Sequence, residues 1–326
     1  TSNLPSPSPR RKMDRRRFLR ASALAGGSLL GAATSPGRSA AAPLRPAPNT
    51  EPFALDYAPS PGQFEAHAGP DLADQIAFAA EQGFRAFEDN TLRDRSVQTQ
   101  RRMGDALRTH DLRMGVFVGH TIHWSEPSLT TGDPGPRRQF LDEIRASVEI
   151  AKRVDATCMT VVPGLRTPRL DSGYQTAHLV DTLREAASIL APHDLVMVLE
   201  PLNTRRDHPG QFLTHTAQAY QICRAVDSPA CKILYDVYHQ QITEGNLLPN
   251  LDRAWDEIAY LQVADHPGRN EPTTGEIDYR TVFAHLHEKG YDGIVGMEHG
   301  MSGTGTAGEQ AIIDAYETTD PSSSSP

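Results

Sequence analysis

The chain has 326 residues, 38% hydrophobic and 22% charged, with a formal net charge of −9 at pH 7. That length suits one large domain or two small ones, and the absence of any run of 18 apolar residues excludes a helical membrane span. The charge is unevenly placed: residues 1–42 carry eight Lys and Arg against one acid, a net +7 that leaves −16 on the remainder. A surface so acidic repels phosphate backbones and excludes nucleic acid as the natural partner.

In chain order, residues 1–42 read as an N-terminal tail and a leader. Residues 14–20 (DRRRFLR) precede an apolar run over 21–33, and Ser39-Ala40-Ala41-Ala42 follows. This is the order of a charged n-region, an h-region and a cleavage-like site. Arg15 and Arg16 before Phe18-Leu19 resemble a twin-arginine export signal, which implies an exported protein, periplasmic or secreted, with the twin-arginine machinery as a partner. Met13 opens a leader-like MDRRRFLR, so residues 1–12 are expected to lie upstream of the start. The competing reading is a disordered basic tail. Residues 43–52 are Pro-rich and read as a linker.

From residue 53 the chain alternates. A strand is expected over 53–57, then a helix on Leu72, Ile76, Ala79 and Ala80, stopped by Gly83. A strand over 84–88, a helix over 97–110 and a strand over 112–119 follow. The long loop 120–136, rich in Gly, Pro and Thr, has the length of a binding loop. Phe140, Ile144, Val148 and Ala151 mark a helix, 156–162 a strand and 176–190 a helix. Four more strands end at Glu200, Asp236, Gln262 and Glu298, with helices near 214–226, 247–256 and 279–289. A last helix over 307–318 leaves 319–326 as a disordered tail. Eight alternations of apolar strand and amphipathic helix over 53–318 predict an α/β fold, a single-domain (β/α)8 TIM barrel. A doubly wound open sheet lacks support, since no GxGxxG follows the first strand. Cys158, Cys223 and Cys231 are an odd set without CxxC, so neither a disulfide framework nor a zinc site is read from them.

The last four strands carry the chemistry. LVMVLE, CKILYD, IAYLQ and GIVGME each finish on an oxygen-bearing side chain, at intervals of 36, 26 and 36 residues. A (β/α)8 barrel uses roughly 31 residues per unit, so Glu200, Asp236, Gln262 and Glu298 are expected at the C-terminal ends of consecutive parallel strands, facing one mouth. Three carboxylates and an amide there repel one another unless a hard cation lies between them, and an all-oxygen set suits Mg2+ or Mn2+. Glu200 and Glu298, across the mouth from each other, are placed as an acid/base pair flanking a substrate carbon. The bland alternative is that acidic residues end strands by chance.

Several motifs here resemble those of hydroxypyruvate isomerases, a branch of the xylose isomerase-like barrel superfamily: Glu200-Pro201-Leu202-Asn203, Tyr235-Asp236-Val237-Tyr238-His239-Gln240, residues 261–272 (LQVADHPGRNEP), Thr274-Gly275-Glu276-Ile277-Asp278-Tyr279, and Gly290-Tyr291-Asp292-Gly293 before Gly296-Met297-Glu298. The likeness is dense over 190–300 and weaker over 53–190. It implies a metal held by Glu200, Asp236, Gln262 and Glu298, with the two glutamates moving the proton through an enediolate. It also implies that His239 reaches a substrate oxygen, that Arg269 grips a substrate hydroxyl or carboxylate and that Glu271 orients Arg269. The substrate would be a small sugar or hydroxy-keto acid, and relatives often pair as homodimers. Pro272-Thr273, His299 and the Arg205-Arg206-Asp207-His208 loop depart from the family pattern and bear on the substrate more than on the metal.

Outside the motifs, Glu88 at the end of the second strand and His120 after the third are candidates for substrate contact. His123, Trp124 and His266 are weaker candidates, each also readable as surface or packing. Three other functions fit the same frame: a sugar epimerase of the same superfamily, a non-catalytic sugar-binding barrel, and a multi-metal hydrolase or endonuclease, for which clustered His ligands would be expected.

Overall fold

Strands that alternate their side chains and helices that bury one stripe assemble here into a ring inside a ring. The computed structural model describes residues 52–324; the leader, and the linker up to residue 51, lie outside them. The strands are β1 (Asp56–Ala58), β2 (Ala86–Phe87), β3 (Arg113–Met114), β4 (Cys158–Val161), β5 (Val196–Leu199), β6 (Cys231–Asp236), β7 (Ile258–Gln262) and β8 (Ile294–Gly296). The helices are α1 (Glu65–Ala68), α2 (Leu72–Glu81), α3 (Val97–His110), α4 (Pro134–Val154), α5 (Ser172–Leu190), α6 (Thr216–Val226), α7 (Val237–Thr243), α8 (Leu247–Ala254), α9 (Tyr279–Glu288) and α10 (Gly305–Thr319).

Every strand pair is parallel, as a strand–helix–strand path requires. Six strands form one sheet in the order β1-β8-β7-β6-β5-β4, and β2 pairs with β3. Backbone bonds stitch the two joints: Glu88 N donates to Pro59 O (3.0 Å), Thr160 N to Phe117 O (2.8 Å) and Gly119 N to Thr160 O (3.0 Å). The expected TIM barrel is therefore the observed fold.

Strand alternation decides what the interior holds. Ala58, Ala86, Val198, Leu234, Tyr260 and Ile294, one from each of six strands, pack with Val116, just past β3, as a buried inner layer. Two residues further along β5, β6 and β7 the same parity brings Glu200, Asp236 and Gln262 to the rim. On β8 the step from Ile294 passes Gly296 and reaches Glu298. Register keeps them level, with Asp236 opposite Gln262 and Gln262 opposite Gly296. The larger core lies between sheet and helices. Within it, the rings of Tyr57, Phe283 and Tyr316 meet at centroid distances of 4.7–6.1 Å and fasten β1 to α9 and α10; aromatic pairs of this kind contribute about 0.5–1.5 kcal/mol each beyond burial.

Several boundaries differ from expectation for local reasons. The helix expected from Phe140 starts at Pro134, because Asp133 accepts from Gly135 N (2.7 Å) and a proline suits the first turn. Gly83 takes φ of +90°, as the expected stop requires, and Gly290 follows α9 at +68°, but Asp111, Asp155 and Asp227 end α3, α4 and α6 at φ of 55–60°. Aspartate tolerates this left-handed conformation better than most residues. Helix α7 was not expected. The tail is also shorter than the expected disordered segment 319–326: Thr319 closes α10, and the buried Asp320 carboxylate accepts from Ala54 N (3.1 Å), tying the end of the barrel to its beginning.

Candidate active site

The rim brings the charges together. Single ligand atoms of Glu200, Asp236, His239 and Glu298 lie within 4.8 Å of one another. Burial lifts all three carboxyls above their ordinary range, and the carboxyls' mutual repulsion adds to this for Glu200, well raised through Glu298 and Asp236, and for Glu298 through Asp236. For Asp236, at about 6, the Arg269 charge and hydrogen bonds offset part of the burial. Such crowding favours a bound cation in place of added protons.

Gln262 supplies the test of that fit. Its Oε1 is buried with no hydrogen-bond partner, a costly condition for an amide oxygen. Its Nε2 donates to Glu88 Oε1 (3.3 Å), and Glu88 Oε2 accepts from Tyr260 OH (2.8 Å). Glu88 thereby fixes which end of the amide faces the cluster. A Cβ on Gly296 would come within 2.1 Å of Glu88 Oε2, so only glycine leaves room for this support. Burial, then the nearby Glu298 charge, raises Glu88 to about 8. The expectation that Glu88 reaches substrate is corrected: it faces Tyr260 and Gln262, beneath the cluster. Three carboxylates and an orphaned carbonyl oxygen fit a hard divalent cation.

Asp236 has two tasks. Its Oδ1 accepts from Tyr238 N (2.8 Å) and His239 N (3.2 Å), capping α7, while Oδ2 faces His239 Nε2 at 3.6 Å. The cap places His239, which is wholly buried. Asn203 Nδ2 (2.6 Å) and Asn203 N (3.4 Å) both approach His239 Nδ1. The Asn203 amide is oriented because its Oδ1 accepts from Arg206 N and Asp207 N. Two donors on Nδ1 make it the acceptor, so Nε2 carries the hydrogen. Arg269 Nη2 also approaches Nε2, but at 3.5 Å, and the shorter contact of Asn203 Nδ2 on Nδ1 (2.6 Å) sets the tautomer. Burial, then the Arg269 charge, lowers His239 to about 3. A neutral ring with Nε2–H cannot ligate a metal through that atom but can donate to an oxygen.

Arg269 Nη2 lies 2.6 Å from Glu298 Oε2 and 4.0 Å from Asp236 Oδ2, with its guanidinium carbon 4.9 Å from the centre of the Tyr238 ring. The loop that carries it is folded around Asp265, which accepts from His266 N, Gly275 N and Ile277 N. The expected role of Glu271 in orienting Arg269 is corrected: its carboxylate accepts from Ser302 N (2.9 Å) and from Ser302 Oγ, anchoring the turn after Glu298. Asn90, beyond the end of β2, was not singled out in the sequence, yet its Nδ2 donates to Glu298 Oε1 (3.0 Å). Its one sequence signal is its place just past the strand end at Glu88.

A cavity of about 460 Å3 opens over Glu200, His239, Arg269 and Glu298. His120 lines its wall, but Val162 N donates to its Nε2 (3.2 Å) and its ring meets Phe140 edge-on, so that nitrogen is already engaged. Trp124 stands at the mouth, half-exposed and stacked on His208 (4.9 Å). His123 pairs with Glu126 (3.3 Å), and His266 with Glu276 (3.0 Å), both away from the cluster.

Comparisons with known proteins agree with this geometry. Residues 76–319 match the family model described as xylose isomerase-like TIM barrel. The chain is 34% identical over 200 residues to hydroxypyruvate isomerase of Escherichia coli, covering 58% of this chain and 76% of that one. It is 32% identical over 228 residues to 2-oxo-tetronate isomerase of Cupriavidus necator, covering 69% and 86%. A crystal structure from Brucella melitensis, named as an AP endonuclease of family 2, superimposes with a TM-score of 0.69 at 27% identity, covering 78% of this chain and 96% of that one.

The wall histidine makes stability depend on acid. Burial lowers His120 from 6.5 to about 4. A base depressed by folding contributes stability above its unfolded value, and that stability is lost as pH falls from 6.5 through 4. His120→Gln keeps an acceptor for Val162 N without titrating, so the fall in unfolding free energy between pH 7 and pH 4 should shrink by up to roughly 3 kcal/mol. Urea unfolding at several pH values measures this; parallel curves for variant and wild type would refute the assignment.

Proposed function

This chain belongs to the xylose isomerase-like TIM barrel family, in its hydroxypyruvate isomerase branch, and is an isomerase; from that premise we propose that it interconverts a hydroxy-aldehyde and a hydroxy-ketone by proton transfer between Glu200 and Glu298 in the presence of a divalent metal. The observation that carries this reading is the convergence of Glu200, Asp236 and Glu298 beside the unpartnered Oε1 of Gln262. These four residues would hold the ion, with Mg2+ or Mn2+ favoured by all-oxygen ligation. Bound there, it would supply positive charge to the substrate's adjacent carbonyl and hydroxyl oxygens and so stabilise an enediolate.

The two glutamates differ in their surroundings. Glu298 receives hydrogen bonds on both oxygens, from Asn90 and Arg269, which stabilise the carboxylate and suit it to take a proton. Glu200 has no such donor; the neutral His239 Nε2–H stands 3.7 Å from it, and burial with the neighbouring carboxylates raises its pKa, which suits it to hold a proton and return it. Environments that separate two carboxyls in this way assign acid and base. His239 Nε2–H would donate to a substrate oxygen, and Arg269 would hold a second oxygen beside Glu298.

A multi-metal hydrolase has less support. Among the described residues the candidate ligand group contains one histidine, and its Nε2 is a hydrogen donor. We also propose that residues 1–42 direct export by the twin-arginine route, on the strength of the paired arginines before Phe18 and Leu19.

Glu298→Gln should keep the fold and lower deuterium exchange at substrate C2 by about 10^2–10^4-fold, the usual contribution of a positioned base; exchange at the wild-type rate would exclude the role. Treatment with EDTA should abolish turnover and added Mn2+ or Mg2+ restore it, whereas indifference to chelation would rule out the metal. Replacing Arg15 and Arg16 by Lys should retain the protein in the cytoplasm, as cell fractionation would show, and unchanged export would contradict the leader reading.

A further inference from the structure

His239 Nε2 stands 3.6 Å from Asp236 Oδ2 and 3.7 Å from Glu200 Oε1, among the carboxylates that would take the ion. An imidazole nitrogen with a free lone pair at that place is a metal ligand, whereas one that carries hydrogen is not. The choice between the two is made on the far side of the ring, by Asn203 and Asp207.

Asn203 is wholly buried, and its amide is saturated. Its Oδ1 accepts from Arg206 N (3.1 Å) and Asp207 N (3.2 Å). Of the two hydrogens on Nδ2, one goes to Asp207 Oδ2 (2.7 Å) and the other faces His239 Nδ1 (2.6 Å). Turned over, the amide would set its oxygen against the Asp207 carboxylate and its hydrogens against two backbone N–H groups, so a single orientation is stable. That orientation presents a hydrogen to Nδ1, and a nitrogen that accepts carries none. The ring is therefore neutral, with its hydrogen on Nε2.

Asp207 strengthens this arrangement. A hydrogen bond to a charged acceptor is roughly twice as strong as one between neutral groups. His208 N closes the same turn on Asn203 O (3.1 Å), and Arg206 Nη1 ties the turn to Pro267 O (2.5 Å) in the loop that carries Arg269. The amide is thus held from three sides before it meets the ring.

We propose that Asn203, braced by Asp207, is a positioning residue that holds His239 in its Nε2–H form, keeping nitrogen out of the ion's coordination sphere and shifting the site toward hard Mg2+ or Mn2+ and away from Zn2+. This deepens the metal-dependent isomerase reading and rests on it for the ion. The place of the ring hydrogen does not depend on that reading.

The test exchanges the two side chains. In the double variant Asn203→Asp with Asp207→Asn, residue 203 can only accept and residue 207 can donate to it, so His239 must move its hydrogen to Nδ1 and offer a lone pair at Nε2. Asp207→Asn alone still accepts from Asn203 and should leave the ring as it is. Two-bond 1H–15N spectra of the Mg2+-loaded full chain, with His239→Gln identifying the signal, should show hydrogen on Nε2 in the wild type and in Asp207→Asn, and on Nδ1 in the double variant. Pulsed EPR should show a nitrogen bound directly to Mn2+ in the double variant and not in the wild type. Calorimetry should find the ratio of Zn2+ to Mn2+ affinity raised about 10–100-fold. Asn203→Ala removes the donor without adding charge and should also admit nitrogen to the ion. Hydrogen on Nδ1 in the wild type, or no nitrogen on the ion in whichever of these two variants folds, would overturn the proposal. A wild type that binds neither ion would sink the metal reading and the selectivity with it, while the spectra still decide the ring. The expected spectra and affinities without deuterium exchange into substrate would sink the isomerase reading alone.

Discussion

Crowded negative charge at the rim is the constraint from which the rest of the site follows. At an effective dielectric of about 20, two unit charges 4 Å apart interact by about 4 kcal/mol, and three carboxylates meet here, Glu200 and Asp236 buried and Glu298 partly so. Each neighbouring residue can be read as an answer to that repulsion. Arg269 gives its guanidinium to Glu298. Asp236 spends one oxygen on the first turn of α7. Asn90 holds the remaining oxygen of Glu298. These contacts still leave Glu200 without a donor and Gln262 Oε1 without a partner, which is the physical case for a cation at the centre.

The barrel makes the crowding tolerable by fixing the carboxylates from below. Strand register sets Asp236, Gln262 and Gly296 side by side, so the ligand atoms are placed by backbone pairing rather than by flexible loops. Under them, Glu88, Tyr260 and Gln262 form a hydrogen-bonded chain that fits because residue 296 has no side chain. A second acid under the rim is costly when charged. Burial and Glu298 raise its pKa, and the hydrogen bonds it accepts from Tyr260 and Gln262 offset part of that cost. Preorganised oxygen ligands need little rearrangement to accept an ion.

The sequence exposed this frame where the signal was periodic and hid it where the signal was local or distant. Glu200, Asp236, Gln262 and Glu298 were legible because each ends an apolar run whose alternation sets the inward face. Helix α7 was not, because Val237, Tyr238, His239 and Gln240 are all buried, so the segment has no polar face to mark it as a helix. Its cap is Asp236, a residue already claimed by the metal reading. Helix ends at Asp111, Asp155 and Asp227 escaped notice because glycine is the stronger cue for a left-handed stop. The partner of Glu271 is Ser302, 31 residues away, and no spacing rule connects them. The resemblance pairs Glu271 with Arg269, two residues before it, and the fold does not make that pairing.

The uneven legibility has a functional logic. The motifs that resemble the isomerases are dense over 190–300, the span of β5 to β8, which carries every proposed metal ligand and both glutamates. The earlier strands show the weaker likeness, and they supply Asn90, Arg93 and Thr160 to the opposite wall. Chemistry that moves a proton between adjacent carbons imposes one geometry on its acid, base and metal, whatever the rest of the substrate looks like. The wall that meets the rest of the substrate is free to change with it. The half of the barrel that is hardest to read by resemblance is thus the half in which substrate choice is expected to reside.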